Sequence, residues 1–425
     1  MRLTVKNIAK IQEASIQLDG ITVIAGKNNT GKSTIGKALY CMFNSFYDSS
    51  NKIEREKQRF IRATIWQYLR QYPIRTMDKL METIQKELND LEITSESQKE
   101  EIRNIIEENL SKYKGKTKND TKSLTASISN ISLEDVTNRL YLVFSIEWEF
   151  FQKTIIERHV NEEFKSQINH VNHQDELCTI EVEIKGNTIK IDYLENECYS
   201  IQKNIDITVE ALYYDSPFVL DYASNEFEYE IESGHQNFLK SKLLNNFEND
   251  IIEETLKRKK LEIILQKIKM ITSGDISEDD DDNNVFMERG LSEPLSFSNL
   301  STGLKTFVIL ERLIEQNQFE DKGVLILDEP EVHLHPEWQL KFAEILVMLQ
   351  KELDLNVLLA THSPYFLKAI EVYSRKYKNS EKCNYYLAEL DDKNYAKFRN
   401  VNENTEPIYE LLAMPLQTLE DVIWS

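Results

Sequence analysis

The sequence predicts an α/β fold: a mixed, partly parallel sheet, an antiparallel β lobe and long helical insertions. Three observations carry this. From Val324 onward short apolar runs alternate with helical patterns, the order that builds a parallel sheet. The first 45 residues and the stretch 140–217 hold short β-type runs joined by turns. The segments between them are long and charged, with apolar residues at helical spacing. At 425 residues, 41 % of them hydrophobic, the chain can bury the core of two or three lobes.

Taken in order, residues 2–5, 15–18 and 22–25 read as strands, with Asp19-Gly20 turning between the last two. A helix is expected from Lys32 past Leu39 and Met42. Residues 46–118 hold no glycine before Gly115 and read as two or three helices; 114–130 read as a polar loop. Strands are expected to resume around Leu142, to be clear at 179–184 and 188–193 across a Lys185-Gly186-Asn187 hairpin, and to include 207–214. Leu261, Ile264, Leu265 and Ile268 fall on one helical face. The acidic run 277–284 reads as a solvated loop. The last third gives a strand to Leu327, a helix from Pro336, a strand at 356–360 and a helix after Pro364. Strands at 385–389 and 397–401 and a helix near 408–412 follow.

Composition excludes several classes. No run of 18 apolar residues exists, so no membrane span is expected, and the first ten residues lack a signal-peptide core. Cys41, Cys178, Cys198 and Cys383 lie far apart without CxxC spacing, which argues against a disulfide framework or zinc ribbon and for a reducing cytosol. A net charge of −21 weighs against a surface coated for DNA. The densest basic cluster is Lys257-Arg258-Lys259-Lys260. It could meet nucleic-acid phosphates or an acidic partner, but Glu253 and Glu254 stand four residues before Lys257 and Arg258, the pattern of a solvated helix face.

Two segments carry chemistry on their own. Gly26-Lys27-Asn28-Asn29-Thr30-Gly31-Lys32-Ser33 fits GxxxxGK[ST], follows an apolar strand and opens a helix. In that setting the loop N–H groups, on to Thr34 in the first helical turn, cradle phosphates. Lys32 is expected to reach the β- and γ-phosphates of ATP and Ser33 to ligate Mg²⁺. Val324-Leu325-Ile326-Leu327-Asp328-Glu329 is an apolar strand ending in two acids, a Walker B pattern. Asp328 would hold Mg²⁺ through water and Glu329 would polarise the attacking water. About 300 residues separate Lys32 from Asp328, so large insertions must lie between the two halves of the site.

Further segments resemble a family. Leu300-Ser301-Thr302-Gly303-Leu304-Lys305 resembles the signature motif of ABC-type ATPases. Asp328-Glu329-Pro330-Glu331-Val332-His333-Leu334-His335-Pro336 looks like the Walker B and D-loop of the RecF, SMC and overcoming-lysogenization-defect branch. Ala360-Thr361-His362-Ser363-Pro364 looks like its switch-histidine loop. The resemblance implies an ABC-type P-loop ATPase head that hydrolyses ATP with Mg²⁺ and works as a head-to-head dimer or higher homo-oligomer. It implies that Ser301 and the Gly303 backbone contact nucleotide held by the other head. Glu329 and His362 would be catalytic, with His362 sensing the γ-phosphate and holding the attacking water. Ser301 also reads as a plain N-cap of a helix at 305–314. His333 and His335 with Glu331 have the spacing of a metal pair, but the D-loop reading is preferred. His170 and His173 read as surface residues. The glutamine such heads carry where a core strand meets the helical lobe is absent; at 213–217 (YYDSP) Asp215 or Ser216 takes its place.

This divides the chain into a P-loop lobe (1–45), a helical insertion (46–139), the rest of the β lobe with a core strand (140–217), a helical subdomain (218–290), and the signature, Walker B and histidine lobe (291–425). A compact head with helical inserts resembles the ATPase subunits of anti-phage systems such as Septu and PARIS. That implies a cytoplasmic sensor or scaffold controlling a separate HNH- or TOPRIM-type nuclease effector. The alternative is a RecF-like DNA-repair ATPase. A self-contained nuclease of the overcoming-lysogenization-defect type is not expected, because 63 residues after His362 are too few for a TOPRIM domain.

Overall fold

The computed structural model describes residues 1–70, 77–91, 98–114, 131–170, 172–222, 234–244, 251–278 and 284–424. The chain opens with β1 (Arg2–Ile8), β2 (Ile11–Gln17) and β3 (Ile21–Gly26). β1 and β2 pair antiparallel and bury alternate residues, Leu3 and Val5 against Ile16 and Ala14. β3 is buried at every position, as a strand covered on both faces must be. It runs through the loop 27–31 into α1 (Lys32–Phe46).

Two compact units follow from the contacts: Asp48–Ile155, and Met1–Tyr47 with Ile156–Ser425. The first contains α2 (Ser49–Leu69), α3 (Met77–Asn89), α4 (Lys99–Lys114) and α5 (Leu133–Ser145). Ile61, Ile65, Leu80, Ile84, Ile102, Ile106 and Leu140 form its own core. α6 (Trp148–Phe164) continues out of it. The helical insertion therefore extends past the expected boundary at residue 139, and the strand expected around Leu142 is helix. Val136, Leu140 and Val143 bury one face at i, i+4 and i+7, and Ser132 with Asp135 closes a capping box at the start of α5. A short apolar run cannot by itself separate strand from helix.

The remaining strands are β4 (Cys178–Ile184), β5 (Asn187–Leu194), β6 (Glu197–Lys203) and β7 (Ala211–Tyr214), the last shorter than the expected 207–214. Next come α7 (His235–Leu244) and α8 (Ile251–Thr272). β8 (Gly274–Glu278), β9 (Asn284–Glu288) and β10 (Leu295–Ser296) form a small antiparallel sheet that the sequence did not announce. The ends of the acidic run thus belong to β8 and β9, while residues 279–283 lie outside the described residues. The chain closes with α9 (Thr302–Glu315), β11 (Val324–Asp328), α10 (Pro336–Leu353), β12 (Asn356–Thr361), α11 (Pro364–Lys376), β13 (Cys383–Leu390), β14 (Ala396–Asn400) and α12 (Glu406–Trp424).

Among the described residues the main sheet runs β6-β5-β4-β1-β2-β14-β13-β3-β12-β11-β7. From β6 to β2 it is antiparallel. From β13 to β7 it is parallel throughout. The fold is thus α/β, with a mixed, partly parallel sheet, an antiparallel lobe and helical insertions. One apolar layer packs α9, α10 and α11 on one face of the parallel strands, and a second packs α1 on the other. Parallel strands put all their carboxyl ends on one edge, where open α/β sheets bind ligands.

Two smaller readings change. His170 is buried rather than a surface residue: its backbone N–H donates to Asn7 O, and its ring packs at a tilt against Tyr395. The C-terminal helix spans Glu406–Trp424 rather than a few residues near Ile408. The four cysteines are free and buried, and no described helix is long and apolar enough to cross a membrane.

Candidate functional site

The phosphate-type loop sits at the carboxyl end of β3. Gly26 has no room for a side chain: a Cβ there would lie 2.2 Å from the Ala388 backbone oxygen. Asn29 (φ 63°) and Gly31 (φ 82°) take left-handed conformations, which bend successive N–H groups toward one side of the loop. Thr30 Oγ1 donates to Lys27 O at 2.8 Å and holds that bend. Lys32 is buried; its Nζ donates to Gly26 O at 3.2 Å and Lys27 O at 2.9 Å. No side chain caps α1, so its first N–H groups are left for an anion. Lys27, Asn28, Asn29 and Ser33 are exposed, and Thr34 is half-buried in the first turn.

β11 delivers Asp328 and Glu329 to the same edge, with β12 lying between β11 and β3. Asp328 Oδ2 accepts from the Tyr213 hydroxyl at 3.1 Å. Its Oδ1 is buried and has no hydrogen-bond partner among the described residues. Burial pushes this carboxyl above its ordinary range, and the Ser33 and Tyr213 hydroxyls offset only part of that. Glu329 has φ 51°, a strained value for a residue with a side chain, and its N–H donates to Ala360 O at 2.9 Å. That turn sends its carboxylate toward the Lys32 ammonium and the His362 imidazole. Glu329 Oε1 lies 3.5 Å from Lys32 Nζ and 3.3 Å from His362 Nδ1. The imidazole beside Glu329 holds its carboxyl below the ordinary value, and the carboxylate in turn pushes His362 up.

Glu331 steers the histidine loop. It is 2 % exposed, and its Oε1 accepts from the Thr361 hydroxyl and from His362 N–H at 3.1 Å. Ser363 caps α11 by accepting from Phe366 N at 3.2 Å, and donates to Gln339 at 2.7 Å. The residues Lys32, Asp328, Glu329 and His362, from three separate segments, therefore meet at one edge. Beside them opens a cleft of about 320 Å³ lined by Ser33, Asp215, Asp328, Glu329 and His333, among others.

Ser301 and Gly303 do not line this cleft. Ser301 is exposed and caps α9, its Oγ accepting from Leu304 N at 3.4 Å. A Cβ on Gly303 would sit 3.1 Å from His333 O and 3.3 Å from the Trp338 ring, so the start of α9 packs on the D-loop. Lys305, the basic residue after the signature, points inward to Asp221 and to Ser298 O at 3.1 Å.

At the end of β7 the two candidates separate. Asp215 lines the cleft, whereas Ser216 Oγ accepts from Phe218 N and shapes the turn. Sequence reasoning missed what holds Asp215. His235 Nε2 lies 2.9 Å from Asp215 Oδ2, and its Nδ1 lies 2.8 Å from Glu163 Oε2. The partners stand 20 and 72 residues away, so no local spacing could have found them. Burial alone would lower the His235 pKa, but Asp215 and Glu163 outweigh it and push it up to about 9. Burial likewise pushes Asp215 up, but His235 and Gln236 hold it below the ordinary range. The basic cluster lies on α8; Arg258, Lys259 and Lys260 are exposed, and Lys260 pairs with Asp321 at 3.0 Å. The side chains of Glu253 and Glu254 lie outside the described residues.

Residues 223–368, a minority of the chain, match the family model described as "AAA domain, putative AbiEii toxin, Type IV TA system". Among solved structures the chain is similar to the SMC head domain from Thermotoga maritima, at 10 % identity and TM-score 0.40, over 94 % of this chain and 98 % of that one. It is also similar to an Smc head bound to the C-winged helix domain of ScpA, at 10 % identity and TM-score 0.45, over 96 % and 98 %. An Smc head with an extended coiled coil, bound to the C-terminal domain of ScpA derived from Pyrococcus furiosus, matches at 10 % identity and TM-score 0.42, over 99 % and 98 %. The fold assignment rests on the strand order and on the loops gathered at one sheet edge.

Proposed function

We propose that this chain binds ATP with Mg²⁺ at the loops after β3, β11 and β12, and hydrolyses it as one head of a homodimer. The observation that carries the reading is the approach of Glu329 to both Lys32 and His362, three groups brought together from distant parts of the chain. The residues fit a metal-bound nucleotide. Among the described residues Asp328 Oδ1 is a buried carboxylate oxygen without a partner, and the Ser33 hydroxyl interacts with the same carboxyl group.

Lys32 and the loop N–H groups take the phosphate charge. Ser33 and Asp328 would hold Mg²⁺, Asp328 through water. The ion, when bound, neutralises charge on the terminal phosphates. Glu329, kept ionised by His362, orients the attacking water and accepts its proton. His362, its backbone held by Glu331, hydrogen-bonds the γ-phosphate or the water. Ser301 and the Gly303 backbone cap the γ-phosphate bound by the other head.

The test is phosphate release from ATP by the purified chain with Mg²⁺. Turnover in wild type and none in Lys32→Ala supports the reading; equal rates sink it. We further propose that the ATPase is the sensor or scaffold of an anti-phage system with a separate HNH- or TOPRIM-type nuclease. The family model that matches residues 223–368, described as "AAA domain, putative AbiEii toxin, Type IV TA system", supports a defence setting. Cells carrying the gene with its neighbouring reading frames should plate phage poorly, and Lys32→Ala should restore plating. Full plating, together with DNA-damage sensitivity on deletion, would favour the RecF-like alternative. In that case Lys257, Arg258, Lys259 and Lys260 are the first residues to test for nucleic-acid contact.

A further inference from the structure

Tyr213, Asp215 and His235 form a knot beside the nucleotide cleft that the roles above do not use. His235 is the first residue of α7 and is 8 % exposed. Its backbone N–H donates to Glu163 Oε1 at 2.7 Å, and its Nδ1 lies 2.9 and 2.8 Å from the two Glu163 oxygens. Its Nε2 lies 2.9 Å from Asp215 Oδ2. Both ring nitrogens thus face carboxylates, an arrangement only a ring donating at both positions satisfies. The ring also stacks on Tyr213, centroids 4.2 Å apart and planes inclined by 23°. The Tyr213 hydroxyl is the one that donates to Asp328. Gln236 Nε2 donates to Asp215 from the solvent side at 3.1 Å. Lys37, on the helix that follows the phosphate loop, donates to Glu163 O at 3.1 Å.

We propose that His235, clamped between Glu163 and Asp215, is a positioning residue for the hydrolytic site: it fixes the Asp215 carboxylate in the cleft wall and, through the Tyr213 stack, the orientation of Asp328. This rests on the ATPase reading of the cleft. A buried cluster of two acids and one histidine is an expensive way to pin a helix, since apolar side chains of similar volume serve stability as well or better. Such a cluster fixes directions, and two of them lead to the cleft: Asp215 lines it and Tyr213 holds Asp328. Of the two residues in the place of the missing glutamine, Asp215 is the one so held. Its carboxylate accepts hydrogen bonds only, so what it presents to the cleft is an acceptor, suited to a water molecule.

The experiment is a double-mutant cycle in the full-length chain with His235→Gln and Asp215→Asn, read as kcat and KM for ATP hydrolysis. His235→Gln is expected to lower kcat by about 10²-fold, the cost of a misplaced group near the chemistry. KM should stay within about threefold, because the phosphate loop is untouched. The double variant should be no slower than Asp215→Asn alone, since His235 acts through Asp215. A folded His235→Gln with wild-type kcat and only a lower melting temperature would overturn the proposal, as would effects on kcat that multiply. Should His235→Gln not fold, Glu163→Gln takes its place in the same cycle with the same expectations. Wild-type turnover is measured first. A wild type that does not hydrolyse ATP removes the ATPase reading and this proposal with it, whereas an active wild type with a multiplicative cycle removes only the proposal.

Discussion

At the residue scale the site is an arrangement of paired charges. Lys32 is buried, and its Nζ is held by two loop carbonyls and by Glu329. Lys32→Ala should abolish ATP binding in calorimetry while leaving the melting transition cooperative. Unchanged affinity would reject the phosphate site. Glu329→Gln keeps the shape but weakens the base and the attraction to His362. It should still bind ATP and hydrolyse it about 10²–10⁴-fold more slowly, as measured in single-turnover experiments. His235 predicts a pH effect on stability. Its folded pKa, about 9, lies above its ordinary 6.5, so the stabilisation it brings is complete below pH 6.5 and is lost as pH rises through 9. The contribution is on the order of 3 kcal/mol. The melting temperature of wild type minus that of His235→Gln should therefore shrink between pH 6.5 and 9. A constant difference would mean the histidine is not charged in the folded state. Lys32, Asp328 and Glu329 were legible in the sequence because their motifs are local. Glu163 and His235 were not, because their meaning lies in partners from other elements.

At the element scale, β3 is the axis of the site. It pairs in parallel with β12 on one side and β13 on the other, and Gly26 stands opposite Ala388 in that register. A methyl group at Gly26 would collide with a backbone oxygen, which cannot swing aside as a side chain can. Gly26→Ala should cost more than about 2 kcal/mol in denaturant unfolding and weaken ATP binding as well. A variant as stable as wild type would show that β13 yields there. Sequence patterns served some elements and failed others for clear reasons. The β4–β5 hairpin was legible because Lys185 (φ 51°) and Gly186 (φ 82°) make the left-handed two-residue turn such strands require. α5 was misread as strand because its apolar run is short. β8, β9 and β10 went unseen because an acidic run masks the pairing on either side of it.

At the scale of the whole molecule, the question is whether two copies of the chain share their sites. Ser301 caps α9 at the surface and does not line this chain's cleft. If it meets nucleotide held by a second copy, Ser301→Arg should block closure by bulk and charge while leaving the monomer folded and able to bind ATP. Mixing inactive Lys32→Ala with inactive Ser301→Arg gives heterodimers with one doubly damaged site and one intact site. Partial ATPase activity should reappear, once subunit exchange is verified with two different tags. Verified heterodimers without activity would count against sites shared in trans, and a fully active Ser301→Arg would reject the signature assignment.

The amino-acid sequence by itself determined the glycine-bounded loop after β3, the acidic strand end and the alternation that makes the sheet parallel. Each of these is written in neighbouring residues: a glycine that permits a bend, an apolar run that must be buried, a helix start that leaves N–H groups free. Only the tertiary structure decided what meets at the sheet edge. It set β12 between β3 and β11, turned Glu329 toward Lys32 and His362, and buried Glu331 under the histidine loop. It also chose Asp215 over Ser216 by placing His235 and Glu163 behind it. Contacts across such separations come from strand order and helix packing, and no short stretch of sequence encodes them.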